Sequence, residues 1–433
     1  MSRSATEGFL RGRRYALNFL SLVVAFMVFA PLINSVGVIV LQSIRTLGIS
    51  KQQAGVVQPF VDLPMALSSL VIGSVLPTLG LRRAMLGTLL LAIAACLAMP
   101  LLPRFWLFKA HLVVVGVCFA ATKVVLYTSI GTVTDTKKKH AALMSTVEGL
   151  FMFGILSGYW VFGWFSQSES GSRAGWLNSY WLFASLLAVA ALTFWRNPIP
   201  EQQATLEKGE VQHELIFLIR LALTPIILSY AVTDVLYVLL EQAVGAWLPT
   251  FNAEVMRLPP SVSIELASEF SLGLAVGGVM GGVVLRRVGW FAVLSCCLSG
   301  VAAIIVLALP LVRHLSLGSV HSLIELPAAA FLFPAIGVFL GPINPAINSA
   351  VLTCLPQKHH SPMAGLIIVC SSIGGTTGAI VTGIIFQARG PDAFYFLLAP
   401  IVLLWLALIF FDRAIQRSMF TANAPEARAT QGV

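Results

Sequence analysis

The chain has 433 residues, 58% hydrophobic and only 10% charged, with a formal net charge of +9. A soluble domain carries about 25% charged residues and cannot hide this much apolar surface in one core, so a polytopic membrane protein is predicted. No stripe of basic residues interleaved with aromatics lies on a polar surface, which argues against nucleic acid as a partner.

A spanning helix needs roughly 20 apolar residues. Twelve apolar stretches meet that need, at 15–41, 53–77, 84–103, 106–133, 141–165, 176–195, 219–249, 262–285, 290–311, 323–353, 362–386 and 393–412. The first follows Arg11, Arg13 and Arg14 and is too long for a cleaved signal, so it is read as an uncleaved span. Lys and Arg gather in every second gap, as cytoplasmic loops require, which puts both termini in the cytoplasm of an inner (cell) membrane protein. Asn34 is the polar residue at mid-depth in the first span.

Ionisable groups deep in a span cost ~2.5–3.5 kcal/mol each on insertion scales, so they face a cavity or a partner. The second span sets Gln58, Asp62 and Ser69 at i, i+4 and i+11 on one helical face. The fourth carries Lys123 with Tyr127 one turn on, and the fifth carries Glu148. These read either as a proton and anion site or as a fixed ion-pair lattice.

Between Arg196 and Glu214 the chain turns polar, opening with Asn197-Pro198-Ile199-Pro200. Such composition stops a helix and divides the chain into an N-terminal six-helix bundle at 1–195, a cytoplasmic linker at 196–218 and a C-terminal bundle at 219–417. A disordered cytoplasmic tail at 418–433 follows.

The seventh span has the clearest stripe: Tyr230, Asp234, Tyr237 and Glu241 at i, i+4, i+7 and i+11. Two acids and two phenols at that spacing line a polar wall and make Asp234 or Glu241 the leading proton-coupling site; helix-to-helix hydrogen bonding is the plainer account. Trp247 stacks on a sugar ring or anchors the interface. The eighth span opens with Glu265 and Glu269, read as vestibule residues. In the tenth, Gly341-Pro342-Ile343-Asn344-Pro345 and Asn348 combine freed carbonyls with two amides, which suits either ligand binding or a kink. Six cysteines without CxxC spacing and scattered histidines imply no disulfide framework, metal or cofactor.

The halves repeat. Val36-Gly37 recurs as Val244-Gly245; Gly73, Gly80 and Arg82-Arg83 as Gly282, Gly289 and Arg286-Arg287; and Lys138, His140, Gly154 and Gly158 as Lys358, His360, Gly374 and Gly378. With its twelve spans split six and six, the chain resembles the Major Facilitator Superfamily over essentially its whole length. The family's loop after the second span is matched by Gly73, Gly80, Arg82 and Arg83, with Pro77 in place of the acidic residue. The second copy puts Arg286 at that acidic position, ahead of Arg287. Around Tyr237, Glu241 and Gly245–Thr250 the seventh span is similar to the fucose/hexose:proton symporter-like branch. The resemblance implies an all-α fold of two pseudo-symmetric six-helix bundles and a carrier that alternates access to a central site.

No phosphate-cradling loop is present to draw on ATP, so the leading reading is proton-coupled symport of a small polar or anionic solute by a monomer in the lipid bilayer. Proton-driven export of a drug or metabolite is the runner-up. A membrane-embedded receptor or enzyme is the alternative of another class, and no nucleophile set supports the enzyme.

Overall fold

A computed structural model describes residues 3–79, 81–133, 137–167, 175–196, 223–285, 287–313, 320, 322–354 and 360–429. Among them there is no strand. The helices are α1 (Arg3–Asn34), α2 (Val36–Leu47), α3 (Lys51–Gly55), α4 (Pro59–Leu79), α5 (Leu81–Leu101), α6 (Phe105–Val133), α7 (Lys137–Gln167) and α8 (Ser179–Arg196). After the central link come α9 (Pro225–Gly245), α10 (Leu248–Val255), α11 (Pro260–Val284), α12 (Trp290–Arg313), α13 (Ile336–Leu340), α14 (Ile343–Thr353), α15 (His360–Arg389) and α16 (Leu398–Ala429). Large apolar side chains such as Leu67, Trp164, Val279 and Phe410 are exposed on their outer faces. A surface of that kind suits hydrocarbon, where a helix also satisfies its own backbone.

Several predicted spans are not single rods; the second, for one, is split into α3 and α4. The first breaks at Ser35, four residues after Pro31, into α1 and α2. The seventh ends at Gly245 and restarts as α10 behind Trp247 and Leu248-Pro249. The tenth opens as short 3-10 turns at Leu323–Glu325 and Ala328–Phe331 before α13 and α14. Pro334, Pro342 and Pro345 explain the last case, because each removes a backbone donor and crowds the preceding turn.

The chain forms two compact units, one of Met1–Ser50 with Val57–Lys208, the other of Lys51–Val56 with Gly209–Val433. In the first, α1 packs on α6, α7 and α8, and α4 packs on α6. In the second, α9 packs on α15 and α16, and α11 packs on α13.

Glycines set the closest crossings, and they do so in matching registers. A Cβ at Gly154 would lie 2.5 Å from the Met27 carbonyl oxygen, and one at Gly158 would lie 2.1 Å from Pro31 Cβ. In the second unit a Cβ at Gly374 would lie 2.4 Å from the Val235 oxygen, and one at Gly378 would lie 2.3 Å from that of Leu239. Met27 and Val235 are 208 residues apart, as are Pro31 and Leu239 and the Val36/Val244 pair. A second crossing follows suit: Gly116 meets the Val61 oxygen in α4, and Gly337 meets the Phe270 oxygen in α11. The repeat read from scattered residues is therefore a repeat of backbone contacts.

Candidate functional site

The second unit gathers the polar groups of three helices. On α9, Tyr230, Asp234 and Tyr237 are fully buried, and Glu241 is partly exposed. The tight seam at Gly374 and Gly378 presses α15 on α9 and brings Ser371, three residues before Gly374, to Asp234. The Ser371 hydroxyl donates to Asp234 Oδ2 at 2.9 Å. The other oxygen, Oδ1, is buried with no hydrogen-bond partner among the described residues. Asp234 makes no ion pair with a described residue.

A second chain of contacts runs from α9 to α14. The Tyr230 hydroxyl donates to Asn348 Oδ1 at 2.5 Å, and the Asn348 amide donates to Asn344 Oδ1 one turn earlier. Both asparagines remain partly exposed. Tyr237 lies within hydrogen-bonding reach of the Glu241 carboxylate. The four-residue stripe on α9 thus forms a polar row in which Tyr230 bridges Asn348 and the Asp234 carboxylate, Asp234 is held by Ser371, and Tyr237 meets Glu241.

The repeat tells which of these the fold requires. Shifted by the 208-residue spacing, Asp234 falls on Phe26 of α1; shifted by the spacing of Gly154 and Gly374, Ser371 falls on Phe151 of α7. Phe26 and Phe151 pack together with ring centroids 4.6 Å apart. The crossing that one unit fills with two aromatic rings holds, in the other, a carboxylate and a hydroxyl. Nothing in the architecture demands the acid, and burial in a membrane makes it costly.

In the first unit, Gln58, in the turn just ahead of α4, donates to both oxygens of Asp62 in its first turn, each at 3.0 Å. Asp62 is buried. Lys123 on α6 is partly buried, its ammonium 5.8 Å from the Phe119 ring centroid. The side chains of Tyr127 and Glu148, and with them the expected meeting of Asp62, Lys123 and Glu148, lie outside the described residues. Asn34 turns its amide back on its own helix, donating to the Ala30 oxygen at 3.0 Å. Ser69 likewise bonds to Ala66 O.

Trp247 is fully buried, its indole N–H on the Ala379 oxygen at 2.9 Å and its ring edge-on to Phe386. It is part of a wall with no face open to a ligand or to the interface. Of the loop residues, Arg82 donates to the last-turn carbonyl of Trp195 in α8 at 3.0 Å. Arg83 and Arg287 are exposed. Gly80 and Arg286 lie outside the described residues, as do the surroundings of Gly73. Ser371 was not singled out from sequence. The available signal was its place three residues ahead of a glycine pair that mirrors Gly154 and Gly158.

Known proteins agree with this architecture. Over 392 residues the chain is 23% identical to the multidrug efflux pump Tap of Mycolicibacterium fortuitum, covering 87% of this chain and 90% of that protein. Its fold is similar to a crystal structure of the nucleoside transporter NupG, with a TM-score of 0.67 at 13% identity, covering 93% and 99% of the two chains. It is also similar to the E. coli fucose:proton symporter FucP, with a TM-score of 0.57 at 15% identity, covering 92% and 99%. The characteristic sequence pattern of one family runs through residues 15–336, and on that match the chain belongs to the Major Facilitator Superfamily of membrane transporters.

Proposed function

We propose that the protein is a proton-coupled secondary transporter that works by alternating access, with Asp234 as the proton-binding group. The observation that carries this reading is the replacement of an aromatic contact, Phe26–Phe151, by a fully buried Asp234 bonded to a partly exposed Ser371 at the equivalent crossing. A carboxylate with no cation paired to it among the described residues is best retained for its charge change: neutral when protonated, it is tolerated in low dielectric, and ionised it is not. Glu241, partly exposed and beside Tyr237, is the second candidate for the proton on the same helix.

The solute is small and polar or anionic and moves by symport with the proton; candidate binding groups are Asn344 and Asn348 in the second unit and, separately, Gln58, Asn34, Lys123 and Tyr127 in the first. Asp62 and Glu148 are secondary candidates for the proton. The protein sits in the cell (inner) membrane as a monomer, its termini in the cytoplasm. It acts as a carrier and not as an enzyme. A second reading, export by proton antiport, is favoured by the similarity to Tap along nearly all of both chains.

The test uses purified protein in liposomes with an imposed pH gradient, screened against sugars, organic acids, nucleosides and cationic dyes. Accumulation with the proton gradient supports symport, and movement against it supports export. Transport that ignores the gradient, with Asp234→Asn indistinguishable from the parent, removes the coupling assignment.

A further inference from the structure

Tyr230 has a single hydroxyl hydrogen and faces two acceptors. On one side its oxygen lies 2.5 Å from Asn348 Oδ1, to which it donates. On the other it is within hydrogen-bonding reach of the Asp234 carboxylate, one turn along α9. One O–H cannot serve both. The hydrogen goes to Asn348, and Ser371 serves Asp234 Oδ2. Asp234 Oδ1 is then left buried without a hydrogen-bond partner among the described residues. The phenol ring itself is fixed, being fully buried with the Phe411 ring edge-on at 5.9 Å between centroids. Only the direction of its hydrogen is free to change.

Beyond Tyr230 the bonds continue in one sense. Asn348 accepts at Oδ1 from Tyr230 and donates from Nδ2 to Asn344 Oδ1. Asn344 stands in the first turn of α14, behind Pro342, and is partly exposed. Its own Nδ2 has no hydrogen-bond partner among the described residues. A side-chain amide is a donor at one end and an acceptor at the other, with nearly the same shape at both. A half-turn about its last bond therefore exchanges the two at little steric cost.

The row has two self-consistent arrangements, and one proton selects between them. With Asp234 protonated, its O–H donates to the Tyr230 oxygen, Tyr230 donates to Asn348, Asn348 donates to Asn344, and Asn344 shows N–H outward. From Tyr230 onward this is the arrangement in the structure. With the proton gone, the carboxylate takes the Tyr230 hydrogen, because a bond to an ionised acceptor is roughly twice as strong as a neutral one. Tyr230 then offers Asn348 only lone pairs, so both amides turn over. Asn348 N–H donates to Tyr230, Asn344 N–H donates to Asn348, and Asn344 shows its carbonyl oxygen outward. The only covalent bond that changes is the O–H of the acid; every other group rotates.

We infer that Tyr230, Asn348 and Asn344 form a polarity relay, in which the proton on Asp234 decides whether α14 presents a hydrogen-bond donor or an acceptor to the solute. A solute entering with the proton then meets Asn344 with an acceptor, such as a carboxylate or carbonyl oxygen. The relay rests on the reading of Asp234 as the proton-binding group, and Tyr230 is a positioning residue within it. The other titratable groups around Asp234 among the described residues are Tyr237 and Glu241 of α9 and Cys370 of α15. On α16, Phe411 meets Tyr230, Asp412 is engaged by Gln416, and Arg413 is exposed. None of these belongs to the row from Tyr230 to Asn344, so single substitutions cut it.

The test follows purified full-length protein in detergent by infrared difference spectroscopy as the pH is lowered, with no solute added and asparagine isotope-labelled to mark its side-chain amide bands. In the parent, a carboxyl band that Asp234→Asn lacks should rise together with shifts of a tyrosine band and of asparagine amide bands. Tyr230→Phe should keep the carboxyl band and lose both shifts. Asn348→Leu should keep the carboxyl band and the tyrosine shift and lose the amide shift. At fixed pH, sodium methanesulfonate, an anion with acceptors alone, should raise the parent's carboxyl band relative to sodium chloride at equal ionic strength, and should do so in neither variant. The relay is overturned, with the proton site left standing, by a carboxyl band that rises without amide shifts or by amide shifts that survive Tyr230→Phe. It is overturned in the same way if methanesulfonate leaves the parent's band unchanged. If no carboxyl band depends on Asp234, the proton site and the relay fall together.

Discussion

Replacing Asp234 by Asn separates a structural acid from a functional one. Asn keeps the shape and still accepts the Ser371 hydroxyl, now 2.9 Å from Asp234 Oδ2, while removing the charge that Oδ1 carries without a partner. Two effects oppose each other. Relief of a buried carboxylate is worth up to ~2.5–3.5 kcal/mol on insertion scales. Weakening the serine bond from a charged to a neutral acceptor loses about 1–1.5 kcal/mol. The balance is a protein as stable as the parent or more stable by up to about 2 kcal/mol, yet unable to concentrate its solute on a proton gradient while solute exchange persists. Ser371→Ala completes the cycle: it should cost about 1–3 kcal/mol with Asp at 234 and only about 0.5–1 kcal/mol with Asn there. The assays are the thermal midpoint of the purified protein, the denaturant-free unfolding equilibrium where reversible, and gradient-driven uptake by liposomes. If Asp234→Asn is destabilised by more than 1 kcal/mol and still couples to the gradient, Asp234 is a helix tie and the repeat argument fails.

Other substitutions test the remaining structure. Gly374→Ala and Gly378→Ala should each cost about 1–3 kcal/mol, since the added carbon meets backbone and not a movable side chain. Gly87→Ala, with nothing within 4 Å, should gain about 0.5–1 kcal/mol from helix propensity; equal thermal midpoints for the three would contradict the seam. Lys123→Met should lower transport more than Lys123→Arg, and equal rates would take Lys123 out of the solute path. Trp247→Phe should cost about 1–2 kcal/mol through the lost N–H bond to Ala379 and the void left in the wall, read from the thermal midpoint.

Much of the architecture could be read without coordinates, for a physical reason. In hydrocarbon every backbone polar group must be satisfied within its own segment, so length and apolarity alone mark the spans. The same constraint made the repeat legible, because Gly154 and Gly158, or Gly374 and Gly378, persist where two backbones touch. Breaks within spans were harder to place. Prolines in the tenth stretch announced a distortion, but the end of the first helix at Asn34 depends on how Pro31 is packed against Gly158.

The site was legible along one helix and opaque across helices. Spacing alone put Tyr230, Asp234, Tyr237 and Glu241 on one face of α9, because 3.6 residues per turn is a property of the backbone. That Asp234 meets Ser371, that Tyr230 reaches Asn348, and that Trp247 is buried with its indole on Ala379 were decided by rotation about helix axes. Spans this apolar on all sides carry little moment to fix that rotation. It is set by which glycine meets which carbonyl, a contact between residues more than a hundred positions apart. The same holds for Lys51–Val56, which sequence order assigns to one half and packing assigns to the other.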